Sequence, residues 1–171
     1  DRTTRGMRIY LATPRLRGLL SLNLAAAAAG AMVLVNTVVL VRSDLGLGDT
    51  QVALALGAFG AGSMLAALLL PRLLDKLPDR PVMLGGAAML VASLLGLSLM
   101  SLVYQVQWVP LLAGWFIIGI GYSVVLTPSG RLLKRSAHAE DRPAIYAAQF
   151  ALSHACWLVT YPLAGWLITV A

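Results

Sequence analysis

Five long apolar segments, separated by short loops, constrain this chain more than any other feature. They read as Gly18–Val41, Gln51–Leu70, Val82–Val103, Val109–Leu126 and Ala144–Val170. Each is near or above the ~20 residues that a helix needs to cross the hydrocarbon core of a bilayer. Inside that core every backbone N–H and C=O must be paired within the segment, which leaves helices as the spanning structure for runs of this kind. The sequence therefore predicts an all-α, polytopic bundle of five transmembrane helices. Residues 1–17 would form a basic cytoplasmic linker or interfacial segment, and residues 18–171 the bundle.

The loop charges orient it. Arg2, Arg5, Arg8, Arg15 and Arg17 precede the first span; Arg72, Lys76 and Arg80 follow the second; Arg131, Lys134, Arg135 and Arg142 follow the fourth. Of the 13 basic residues only Arg42 falls in the other two loops. The positive-inside rule places the crowded side in the cytoplasm, with residue 1 inside and residue 171 outside. Only 12% of residues are charged, about half the share usual in a soluble domain. None of the charges has to lie in hydrocarbon, where it would cost at least ~2.5 kcal/mol. The net charge of +6 thus follows from loop bias and from attraction to anionic lipid. It does not point to nucleic acid.

Other readings narrow the chemistry. Cys156 is the single cysteine, so no disulfide can form within the chain, and its place in the last span suggests packing. The first apolar run is too long for a signal peptide and lacks a cleavage site. The chain starts at Asp1 rather than Met and stops at the end of an apolar segment, which reads as a piece of something larger. No phosphate-binding loop, nucleotide fingerprint or haem attachment is present, so no cofactor is expected. His138 lies in a loop, and His154 and Cys156 sit two apart on a helix, so no metal site is expected. Ser129 and His154 raise a membrane serine protease only to count against it: Ser129 falls at the cytoplasmic end of its span and His154 about three turns into another. An enzyme is not expected.

Polar residues inside the spans are the candidates for function. Asn36 and Thr37 lie deep enough to need partners, either across helices or in a wet cavity. In the last span Gln149, Ser153, Cys156 and Thr160 recur at helical steps and form one stripe. His154, Trp157 and Tyr161 run beside it. Asn36, Gln149, Ser153, His154, Trp157 and Thr160 are the predicted cavity-lining residues. His154 is the one side chain well inside a span that titrates near physiological pH, which makes it a candidate for proton relay or a neutral, hydrogen-bonded histidine. In the second span Gly57, Gly60 and Gly62 suit close helix packing, with sliding or bending as the alternative. In the fourth, Gly119, Gly121 and Pro128 are the candidates for bending.

The loop Pro71-Arg-Leu-Leu-Asp-Lys-Leu-Pro-Asp-Arg80 resembles the cytoplasmic loop of major facilitator superfamily transporters, patterned G-x-x-x-D-[RK]-x-G-[RK]-[RK]. Asp75, Lys76 and Arg80 match it. Pro71 and Pro78 replace its glycines and Asp79 replaces a basic residue. The loop stands between the second and third spans, as it does in each half of such a transporter. The resemblance implies helices seven to eleven of a twelve-helix protein whose N-terminal half and last helix lie elsewhere. It also implies alternating access around a midplane cavity, with Asp75 as a conformational latch and Lys76 and Arg80 as its charge partners. On that footing the expected activity is proton-coupled efflux of a small organic molecule across the inner (cytoplasmic) membrane. Uptake of a metabolite by proton symport is the alternative within transport. A small oligomeric membrane scaffold is the alternative outside it. The expected partners are a small-molecule substrate, protons, the lipid bilayer and the missing N-terminal half of the same chain.

Overall fold

A computed structural model describes residues 2–170 as helices joined by short turns, with no strand among the described residues. Helix α1 (Arg2–Ala12) precedes α2 (Pro14–Val39), which ends in a π-helical turn, Leu40–Asp44. Helices α3 (Asp49–Leu74), α4 (Asp79–Val103), α5 (Trp108–Leu126), the short α6 (Ser129–Ser136) and α7 (Arg142–Val170) follow. Five stretches are long and apolar enough to cross a membrane: Pro14–Asp44, Asp49–Leu74, Asp79–Val103, Trp108–Ser136 and Arg142–Val170. They contain the five predicted segments and extend most of them by several residues into the flanking loops.

Local chemistry sets the boundaries. Pro14 opens α2, where its fixed φ suits a first turn and its missing N–H costs nothing. Thr13 ties the end of α1 by donating from Oγ1 to the Ile9 carbonyl at 2.8 Å. Asp49 and Asp79 fall in the first turns of α3 and α4, where the helix dipole favours a carboxylate. Pro128 separates α5 from α6, since it has no N–H to continue the ladder. Pro162, in contrast, lies within a continuous α7, so one missing hydrogen bond does not end that helix.

Helices α2 and α5 form the centre. In their most apolar windows 50% and 44% of residues are buried, against 17%, 22% and 17% for the spans of α3, α4 and α7. The central core joins Ala29 and Val33 of α2 to Leu90 of α4 and Leu111, Trp115 and Ile118 of α5. Large apolar side chains cover the outside: on α4, Leu84, Val91, Leu95, Leu99 and Leu102 follow one another at helical steps and are all exposed. A surface of that kind would drive association in water and is the expected one facing lipid or other membrane helices.

Glycines permit the closest approaches. At the crossing of α3 and α5, a Cβ on Gly62 would overlap the Phe116 carbonyl, and one on Gly119 would overlap the Phe59 carbonyl. Gly121 lies in the same way against Gly86 of α4, whose carbonyl oxygen would stand 2.9 Å from its Cβ. Helix α5 is continuous through both positions, and Gly119 and Gly121 are contact points in it.

The basic leader is folded onto the bundle. Tyr10 is fully buried in a cluster with Leu16, Leu19, Met83, Leu133, Ile145 and Ala148. Gly6 admits the Ala144 backbone, and Arg5 pairs with Asp141 at 3.0 Å. These contacts fasten α1 to the start of α7.

Candidate functional site

Where α2, the α5–α6 junction and α7 meet, they enclose a cavity of about 240 Å³ lined by Asn23, Ala27, Leu126, Ser129, Gln149, Ser153 and Trp157. No charged residue lines it among the described residues. Asn23 is 5% exposed, and its side-chain Nδ2 has no hydrogen-bond partner; the buried Oγ of Ser129 has none either. Buried polar atoms without partners are expensive, and both lie in residues that line this pocket.

Three of the lining groups, Gln149, Ser153 and Trp157, are held from behind. Tyr10 donates its hydroxyl to Gln149 Oε1. The Gln149 carbonyl is thereby engaged, while its NH2 keeps two donors. Burial pushes the Tyr10 phenol up to about 12, and the nearby Cys156 adds to the rise, so Tyr10 keeps its proton. Ser153 donates from Oγ to the Phe150 carbonyl at 3.0 Å. The Trp157 ring packs edge-on to Tyr122 at 6.2 Å and beside Tyr161 at 5.0 Å. Gly30 makes room for it: a Cβ there would lie 2.7 Å from the indole.

The structure brings Gln149, Ser153 and Trp157 together and places the other cavity candidates elsewhere. Asn36 lines a second cavity of about 370 Å³ with Met32, Leu97, Leu111 and Trp115. Its Nδ2 lies 3.4 Å from Met32 Sδ and its buried Oδ1 has no partner. Its neighbour Thr37 is satisfied across helices, accepting from Trp115 Nε1 at 2.7 Å while donating to the Val33 carbonyl. Thr160 is buried, with Oγ1 3.5 Å from the Trp157 carbonyl, and lines neither cavity. His154 shares an exposed face of α7 with Phe150 and Leu158. Its ring stacks at 4.0 Å on Phe150, and Nδ1 faces the Phe150 carbonyl at 2.7 Å. Because a carbonyl only accepts, this contact fits the tautomer with the proton on Nδ1. Ser129 and His154 thus lie on different surfaces.

Asp75, Lys76 and Arg80 are exposed and make no ion pair among the described residues. Four residues after Asp75, Asp79 is engaged instead and is 4% exposed. Arg135 Nη1 reaches its Oδ2 at 2.9 Å, and Arg131 Nε lies 3.4 Å from its Oδ1. Both arginines come from α6, and Arg131 also points both terminal nitrogens at the Leu74 carbonyl, at 3.4 Å. One short helix therefore clamps the end of α3 to the start of α4.

Three of these residues were not in the predicted set. Asn23 and Ser129 carry a usable signal, a polar residue toward the end of an apolar run. Tyr10 carries none, since nothing local tells an aromatic in a basic leader that its partner is 139 positions away.

A sequence profile of the Major Facilitator Superfamily matches residues 19–171. Comparisons with curated proteins and with solved structures return no match. Five membrane-length helices and a profile match over nearly the whole chain lead to one conclusion: this chain belongs to the Major Facilitator Superfamily, a family of multi-pass membrane transporters.

Proposed function

We propose that this chain supplies part of the C-terminal half of a secondary transporter that exports a small, uncharged organic molecule in exchange for protons. The uncharged cavity between α2, α5–α6 and α7 carries this reading. It combines unpartnered donors on Asn23 and Ser129, the free amide of Gln149 and the Trp157 ring. Such a set suits a ligand with hydrogen-bond acceptors and a flat apolar part. A strongly anionic or cationic ligand would meet no counter-charge there.

Alternating access would open this cavity to each side in turn, with the missing N-terminal half closing its other wall. Asp75 is the proposed latch toward that half, with Lys76 and Arg80 as its charge partners, and its exposure leaves it free to reach a partner outside this chain. Pro128, at the α5–α6 break, is the proposed point of bending, and Gly119 and Gly121 are proposed to let α5 shift against α3 and α4. His154 Nε2 is the proposed protonation site within this piece, and the inner membrane of a bacterial-type cell the proposed location. Proton-symport uptake uses the same cavity and differs in direction.

The test is transport by the full-length protein in proteoliposomes under an imposed pH gradient, with a panel of neutral and charged organic molecules. Neutral, acceptor-bearing compounds should move outward against the proton flow. Asn23→Ala and Gln149→Ala should each lower kcat/KM for such a substrate by about tenfold, the effect of one lost buried hydrogen bond. His154→Gln should flatten the pH dependence. Transport of charged compounds alone, unchanged by either cavity variant, would refute the reading.

A further inference from the structure

A second feature, at the basic end of the bundle, lies apart from the substrate cavity. The starts of α2 and α4 and the end of α6 surround a cleft of about 1020 Å³. Arg15, Arg80 and Arg135 line it, one from each element. Asp79 pairs with Arg135 and also with Arg131, and no other carboxylate among the described residues pairs with the three arginines of the cleft. Arg15 and Arg80 make no ion pair among the described residues, so the cleft holds uncompensated positive charge. The Oγ of Ser136 in its wall is buried and has no hydrogen-bond partner. Deeper in, the walls become apolar through Leu19 and Met83, and Leu84 carries them onto the exposed apolar face of α4.

Two guanidiniums without an ion pair among the described residues, and a third shared with Asp79, around one opening suit a phosphate group, because guanidinium forks match phosphate oxygens in charge and geometry. The apolar walls running to the lipid-facing surface select the form in which that phosphate arrives. We propose that this cleft binds an anionic phospholipid, with its headgroup phosphate between Arg15, Arg80 and Arg135 and an acyl chain along Leu19 and Leu84. Basic pockets between membrane helices on the cytoplasmic side suit such headgroups. A bound lipid would bridge α2, α4 and α6, the same α6 that holds Asp79.

Native mass spectrometry of the full-length protein, equilibrated with equimolar phosphatidylglycerol and phosphatidylcholine, tests the assignment. The protein should retain phosphatidylglycerol preferentially. Arg15→Gln with Arg80→Gln should weaken that retention roughly thirtyfold, at about a decade and a half for two surface arginines. Arg72→Gln, an exposed arginine outside the cleft, should leave it unchanged. Equal retention of the two lipids by the wild-type protein would overturn the proposal without any variant. So would a loss as large in Arg72→Gln as in the double variant, or no loss in the double variant. A parallel titration with inorganic phosphate separates the sources. Displacement of the lipid only at high millimolar phosphate supports a lipid headgroup as occupant. Displacement at micromolar phosphate overturns the lipid in favour of a soluble phosphate on the same residues.

Discussion

Two carboxylates four residues apart show how little the local sequence says about electrostatic role. Asp75 matches a family motif and stands in solvent. Asp79 departs from that motif and is buried between two arginines of α6. Removing one partner from a buried ion pair leaves the others uncompensated. Here both arginines keep substantial access to solvent, which reduces the penalty. Asp79→Asn should therefore destabilise the protein by about 1–3 kcal/mol. Asp75→Asn should leave stability unchanged and impair transport. Thermal unfolding in detergent, paired with transport, measures both, and equal stability of the two variants would reject the assignment. Tyr10 gives a second expectation at this scale. Its phenol is raised from 10.0 to about 12, so the folded state favours the neutral form. The stability it contributes is complete below pH 10, the unfolded value, and is lost as pH rises through about 12. Tyr10→Phe should cost about 1 kcal/mol at neutral pH through the lost bond to Gln149. It should also weaken the alkaline decline, which a pH series of unfolding midpoints reads directly.

Among the elements, the five spans were legible because hydrocarbon length, apolar runs and loop charges are properties of contiguous sequence. Gly18–Val41 and Val82–Val103 needed only their ends adjusted. What was not legible depends on contacts between elements. Gly119 and Gly121 read as bending points, and only the position of α3 and α4 shows them as contacts. Gly119→Val would drive a side chain into the Phe59 backbone, which cannot rotate away. A cost of about 1–3 kcal/mol follows, typical of overpacking. Gly57→Val, where a Cβ meets open space, should be tolerated. Detergent-extracted yield and melting temperature compare them. The helix formed by residues 2–12 was likewise hidden. Its arginines describe a solvated or interfacial segment, whereas Gly6 and Tyr10 dock it on α7 through contacts that no local pattern encodes.

For the whole molecule, three of the six predicted cavity residues meet at one cavity. Gln149 and Ser153 come from the predicted stripe on α7 and Trp157 from the row beside it, while Cys156 and Thr160 of the same stripe line neither cavity. Asn36 and His154 could not be placed from periodicity, because facing a partner or facing outward depends on where α2 and α5 stand. The central claim is that this cavity belongs to a path opened to each side of the membrane in turn. Cysteine accessibility tests it without knowledge of the substrate. In a Cys156→Ala background, Ser153→Cys should react with a membrane-impermeant thiol reagent applied from either side, whereas Leu158→Cys, on the exposed apolar face of α7, should react from neither. Labelling of Ser153→Cys from one side only, or from neither, would contradict alternating access through this cavity.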